Sequence, residues 1–262
     1  GREIATAMGI FVNSWPFGIA LALIVLPGLA DTISFDLAMF AVAGLTMLGF
    51  AALAIGYHPP DESTSTATLI EPLRGVVLVA LICAGLIWGL YNAALGMIFS
   101  FAPAMLAERG WSATSASSAT SIVLWLVAVS VPLGGIIADR TKRTDSVLSA
   151  GLVLFGAMLV IAARSDAVLV SFVGLGLVAG LSAGPIMSLP SRVLVPGNRA
   201  VGMGIFYTLF YGLVVLGPLA AGSLADRSGR INIAFDLGTA MLIGCAILLV
   251  VFRHLDELRS RA

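Results

Sequence analysis

Apolar residues run almost unbroken along this chain, in eight stretches of spanning length separated by polar breaks. They cover residues 4–29, 34–57, 75–104, 114–138, 147–163, 167–190, 200–223 and 233–252. About twenty consecutive apolar residues cross the hydrocarbon core of a bilayer as a helix, because a helix satisfies its own backbone polar groups where no water can. The breaks hold turn-forming and charged residues, among them Pro27-Gly28 with Asp31, Glu108-Arg109-Gly110 and Pro196-Gly197-Asn198-Arg199. The pattern predicts an all-α polytopic membrane helix bundle of eight transmembrane helices, antiparallel wherever the break is short. One break is longer. Residues 58–74 carry Pro59-Pro60 and a Ser/Thr-rich centre, and they divide two helices (1–57) from six (75–262).

Part of the pattern occurs twice. Met8-Gly9-Ile10-Phe11 returns as Met203-Gly204-Ile205-Phe206, and Leu29-Ala30-Asp31 as Leu224-Ala225-Asp226, both 195 residues on. Phe35-Asp36-Leu37 returns as Phe235-Asp236-Leu237, now 200 residues on, as if one loop had grown. The first stretch is therefore equivalent to the seventh and the second to the eighth, so the repeating unit is six helices long. Six is even, and both copies have the same orientation, related by an axis along the membrane normal.

Composition sharpens the class. The 262 residues are 59% hydrophobic and 11% charged, with mean hydropathy +1.06, against about 25% charged residues in a soluble domain. A formal net charge of zero gives no reason to expect a nucleic-acid partner, and no polybasic run marks an anionic-lipid site. Lys and Arg are retained on the cytoplasmic side. With the N-terminus inside, that side holds Arg2, Arg74, Arg140, Lys142, Arg143, Arg192, Arg199, Arg253, Arg259 and Arg261, leaving Arg109, Arg164, Arg227 and Arg230 outside. Both termini of the segment are therefore expected in the cytoplasm, in a plasma (inner) membrane. The chain begins with Gly and no charged leader precedes the first helix, which reads as an internal start. Cys83 and Cys245 are isolated in apolar runs and His58 and His254 stand at helix ends. No metal or other cofactor is expected from them, and a membrane-embedded enzyme is disfavoured.

The segment Gly135-Ile136-Ile137-Ala138-Asp139-Arg140-Thr141-Lys142-Arg143 resembles the cytoplasmic signature Gly-x-x-x-Asp-Arg-x-Gly-Arg of the major facilitator superfamily, with Lys142 where the second Gly is usual. The resemblance implies helices five to twelve of a twelve-helix fold, the first four missing. It implies secondary transport of a small solute, an organic or inorganic anion among the candidates, by alternating access of two six-helix halves, in a monomer, with a coupling proton or ion as a further partner. It makes Gly135, Asp139, Arg140 and Arg143 a gating motif, in which Asp139 binds the exposed amides of a neighbouring helix start and pairs with Arg. Gly222-Ser223-Leu224-Ala225-Asp226-Arg227-Ser228-Gly229-Arg230 spells the signature better but falls three helices later, on the opposite side, and reads as a helix-end turn. Gly89-Leu90-Tyr91-Asn92-Ala93 and Leu124-Trp125-Leu126-Val127 resemble the cyanate and nitroimidazole permease-like branch. A non-transporting receptor or scaffold with the same fold is the alternative function.

All 28 charged residues fall in breaks or at helix ends, so the candidate solute contacts are uncharged. Trp88 and Asn92 are spaced i,i+4 with Tyr91 beside them, one face of a helix. Asn13 maps onto Thr208 across the repeat, and Tyr207 and Tyr211 flank Thr208. For Asn13, Asn92 and Tyr211 the competing role is helix-to-helix hydrogen bonding. For Trp88, Tyr91, Tyr207 and Trp125 it is packing or lipid contact. Gly176, Gly180 and Gly184 form a small-residue stripe, as do Gly85, Gly89 and Ala93. Pro16 and Pro185 are expected to kink their helices.

Overall fold

The computed structural model describes residues 3–58 and 73–261, and among these there is no strand. Most of the predicted 58–74 break, and Arg2 of the charge count, lie outside the described residues. The described helices are α1 (Ile4–Val12), α2 (Ser14–Thr32), α3 (Phe35–Gly56), α4 (Gly75–Glu108), α5 (Ala113–Thr141), α6 (Thr144–Arg164), α7 (Val168–Ala179), α8 (Ala183–Val193), α9 (Arg199–Ser228) and α10 (Ile233–Arg261). They make 8 spans long and apolar enough to cross a membrane, because α1 with α2, and α7 with α8, are each one span broken in the middle.

Both breaks trace to proline. Pro16 has no N–H for the carbonyl of Val12, and the helix stops there, with Asn13 between α1 and α2. Pro185 likewise cannot bond Leu181, which lies in the 3-10 turn Gly180–Ser182 between α7 and α8. The second break is closed by neighbouring side chains. Ser130 of α5 donates to Gly176 O (2.8 Å) and accepts from the N–H of Gly180 (3.1 Å), while Ser182 donates to Leu148 O (3.0 Å). Irregular backbone at membrane depth persists only where protein groups satisfy it in this way.

The helices outrun the apolar stretches that predicted them. Asp139-Arg140 and Asp226-Arg227 sit in the last turns of α5 and α9 rather than in loops. Hydrogen bonding of the backbone continues into the polar margin, so an apolar boundary is not a helix boundary. The turn after α5 forms despite the absent glycine, with Lys142 itself left-handed (φ 54, ψ 26). After α9, Gly229 takes the same conformation (φ 63). A non-glycine residue there costs about 1 kcal/mol. Lys142→Gly is therefore expected to stabilise the protein by about that amount, read as a raised thermal midpoint in detergent. An unchanged or lowered midpoint would contradict it.

α4 lies at the centre, packed against α5, α9 and α10. Its glycines permit the approach: a Cβ on Gly89 would stand 3.2 Å from Leu209 O, and one on Gly217 of α9 would stand 2.8 Å from the Cβ of Ala93. Close backbones substitute for the hydrophobic drive that lipid removes. α1 and α2 run along α5, α1 also touches α8, and α3 rests on α2. Phe40, Leu45, Leu48 and Phe50 of α3 face outward, an apolar face suited to lipid. Cys83 and Cys245 are both buried.

Candidate functional site

A cavity of about 180 Å³ lies where α1 and α2 meet α4, α5, α8 and α9. The first span contributes Phe11, Val12, Ser14, Trp15 and Pro16; α4 contributes Trp88, Tyr91, Asn92 and Leu95. Val127 and Val131 of α5, Ala183 of α8, and Tyr207, Phe210 and Tyr211 of α9 complete the wall. Helical spacing explains the selection: positions 88, 91 and 92, and 207, 210 and 211, are i, i+3, i+4 sets that share a face. The repeat is visible here too. At the spacing of 195, Val12 corresponds to Tyr207, Trp15 to Phe210 and Pro16 to Tyr211, and all six line the cavity. The two copies thus present the same face to one space, and Tyr211, unlike Pro16, leaves its helix unbroken.

The wall is aromatic and its rings are ordered. Trp88 stacks on Tyr91 (5.7 Å, 18°) and on Phe210 (5.8 Å, 27°), and Phe210 meets Tyr211 edge to face at 4.7 Å. Trp88 and Asn92 are 5% and 4% exposed, so both are embedded in protein rather than lipid. Asn92 Nδ2 donates to Trp88 O at 2.8 Å. The hydroxyl of Tyr91 donates to Ala179 O at 2.7 Å, at the end of α7 just before the break. Tyr91 therefore also braces an irregular backbone. Trp88 Nε1 is buried without a hydrogen-bond partner.

The structure gathers five of the eight sequence candidates, Trp88, Tyr91, Asn92, Tyr207 and Tyr211, around this cavity. It places three elsewhere. Thr208 is exposed and donates to Gly204 O of its own helix (2.8 Å). Trp125 packs edge to face on Phe17 of α2 (5.0 Å, 86°). Asn13 sits at the break, its Oδ1 buried without a partner, outside the cavity lining. Trp15, Phe210 and Ala183 line the cavity but were not among the candidates. The repeat could have found Phe210 from Trp15, since both are aromatic though not identical.

On the face where α1 begins and α5 ends, Asp139 Oδ2 accepts twice from Thr6, from its N–H (2.8 Å) and its hydroxyl (2.7 Å). Thr6 is in the first turn of α1, where the N–H groups have no helical acceptor and favour an anion. Gly135, one turn before Asp139, provides the seat: a Cβ there would stand 2.6 Å from Ala5 O, as would one on Gly184. The spacing Gly-x-x-x-Asp thus puts close approach and capping on one helical face.

The expected pairing of Asp139 with arginine is not made among the described residues. Arg140 and Arg143 are exposed. The charge cluster on this face is built instead around Asp145, whose Oδ1 lies 2.8 Å from Arg192 Nη2 and whose Oδ2 lies 3.2 Å from Arg253 Nε. Arg253 Nη2 also donates to Ser149 Oγ (2.9 Å). These contacts tie α6, α8 and α10 to one another. At the opposite face Thr114 of α5 donates to Asp31 of α2 (2.8 Å), while Asp226 is exposed.

A bundle of eight apolar spans with a cavity at the meeting of its first span and the rest is the architecture of a multi-pass membrane transporter. The family profile of the Major Facilitator Superfamily matches residues 77–262, and the chain belongs to that family. The match begins within α4. No curated protein matches the chain. Membership makes transport of a solute across a membrane the general activity, in a family of transporters rather than enzymes.

Proposed function

We propose that the chain moves a small solute by alternating access, with α1–α3 and α4–α10 rocking about the aromatic cavity and Asp139 holding one face closed. The observation that carries this reading is the cavity itself: symmetry-equivalent positions of two like-oriented units converge on it, as a site accessible in turn from either side requires. The Asp139 to Thr6 contact joins the same two parts at one face, and the positive-inside count assigns that face to the cytoplasm of an inner membrane. Gly135 positions the contact, and Arg140 and Arg143 supply positive charge at that margin. Among the described residues, no Asp, Glu, Lys, Arg or His lines the cavity. A charged solute or a coupling proton would therefore take its partner group from outside the cavity wall described here.

The test is uptake by the complete protein in proteoliposomes. Asn92→Ala, which removes a side-chain amide from the wall, is expected to lower uptake about three- to tenfold with membrane insertion unchanged. Unaltered kinetics would remove Asn92 from the site. Solute binding without uptake in the parent protein would make it a receptor on the same fold.

A further inference from the structure

We infer that Tyr91 is a positioning residue that couples the cavity to the broken span α7–α8, through a hydroxyl that holds the carbonyl the break leaves free. The inference rests on the reading of the cavity as the solute site and adds how a change in its wall reaches the rest of the bundle.

The break is a set of exchanged hydrogen bonds. In an unbroken helix Gly176 O would accept from the N–H of Gly180, and Ala179 O from that of Ala183, each four residues on. Here Ser130 of α5 stands between the first pair, donating to Gly176 O (2.8 Å) and accepting from Gly180 (3.1 Å). The N–H of Ala183 turns to Gly180 O in the 3-10 turn, and the Tyr91 hydroxyl takes Ala179 O at 2.7 Å. Leu181 O would gain nothing from a straight helix, because its partner there is Pro185. Two ladder bonds are thus traded for side-chain bonds inserted into the ladder. Little hydrogen bonding is lost in either form, which makes the span a two-state element.

The two braces differ in what releases them. Ser130 has a second acceptor on its own helix, Val127 O at 3.3 Å, and it is not part of the cavity wall. The Tyr91 hydroxyl has no other partner among the described residues, and Tyr91 does line the cavity. Its ring stacks on Trp88 (5.7 Å, 18°) and meets Phe155 of α6 edge to face (5.8 Å, 72°). Trp88 in turn stacks on Phe210 of α9. Displacing this row of rings tilts the tyrosine and draws its hydroxyl off Ala179 O, since a hydrogen bond weakens steeply with angle. Ala179 O then regains the N–H of Ala183, and α8 swings. That half-span reaches the gating contact: Gly184 packs against Ala5, next to the Thr6 that Asp139 holds. At its far end Arg192 is bonded to Asp145.

The experiment is a double-mutant cycle on the complete transporter in nanodiscs, read as the labelling rate of Met187→Cys by a membrane-impermeant methanethiosulfonate reagent. Met187 lies on α8 one turn beyond Ala183, is 3% exposed and stands outside the cavity wall, so it reports movement of the half-span. Tyr91→Phe keeps the ring, removes only the hydroxyl, and is expected to speed labelling about three- to tenfold. Phe210→Leu, which disturbs the row of rings, is expected to speed it about threefold in the parent and to have no effect once Tyr91→Phe is present. Ser130→Ala should speed labelling too, yet keep the response to Phe210→Leu, because it loosens the break and leaves the link intact. A packing role for the tyrosine would not depend on its hydroxyl. An equal response to Phe210→Leu with and without Tyr91→Phe would therefore overturn the coupling, as would labelling unchanged by Tyr91→Phe or by Phe210→Leu. None of these rates depends on a solute. They stand apart from uptake by Asn92→Ala, whose failure would remove the cavity as the site and leave the coupling in place.

Discussion

Asp139→Ala should shift the transporter toward the state open on the face where α1 begins, by about tenfold to a hundredfold in population. The carboxylate accepts both the N–H and the hydroxyl of Thr6 on a single oxygen, and each is a hydrogen bond to a charged group at a helix start. Such bonds contribute about 1.5–3 kcal/mol each when shielded. Asp139 is half-buried, so the pair together is taken at that level rather than doubled. Because one oxygen serves both donors, Asp139→Asn can keep the geometry and lose only the charge, and its shift should be the smaller. Thr6→Val, which deletes one bond and leaves the amide, should fall between. At the far end of the same two spans Thr114 of α5 is bonded to Asp31 of α2, so opening is expected to pivot there instead of separating α2 from α5. The readout is labelling of Ser14→Cys, on the cavity wall, by a membrane-impermeant thiol reagent added from each side. Cys83 and Cys245 are 6% and 0% exposed and contribute little background. Equal labelling in Asp139→Ala and its parent, from both sides, would remove the gating role.

What could be read from the sequence followed from how local each constraint is. The eight spans were legible because lipid imposes a length on every apolar run, and it does so residue by residue. Their ends were not: Asp139-Arg140 looks like a loop by polarity and is helix by backbone bonding. Pro16 and Pro185 announced the two broken spans, since a missing N–H acts on the carbonyl four residues back. The repeat predicts a six-helix unit, but it was matched by identity and polarity, which selected Asn13 and Thr208. The cavity uses the neighbouring positions instead, Val12 with Tyr207 and Trp15 with Phe210, where the conserved property is direction rather than residue type. Thr6 and Asp139 are 133 residues apart, and nothing local to Thr6 distinguishes it from any threonine near a helix start. Asp145 and its arginines were hidden for the same reason, with partners 47 and 108 residues away.

Gly134→Ala should destabilise the protein by about 1–3 kcal/mol, against the helix-propensity gain of about 1 kcal/mol that alanine brings to an unpacked site. A Cβ at Gly134 would collide with the carbonyl of Leu181, in the 3-10 turn between α7 and α8. That atom is backbone and cannot rotate away. Gly176→Ala should behave alike, since its Cβ would stand 2.6 Å from Val123 O. Gly204 and Gly212 have nothing within 4 Å of the added carbon, and alanine there should leave stability at or above the parent's. The contrast separates packing from propensity, because all four are helical glycines. It also separates stability from a purely local effect. Pushing α5 away from the α7–α8 break moves Val127, Val131 and Ala183, which line the cavity, so Gly134→Ala should weaken solute binding as well. Thermal unfolding in detergent gives the first quantity and calorimetric titration the second. If Gly134→Ala were as stable as Gly204→Ala, close approach of α5 to the broken span would not be what holds this side of the bundle together.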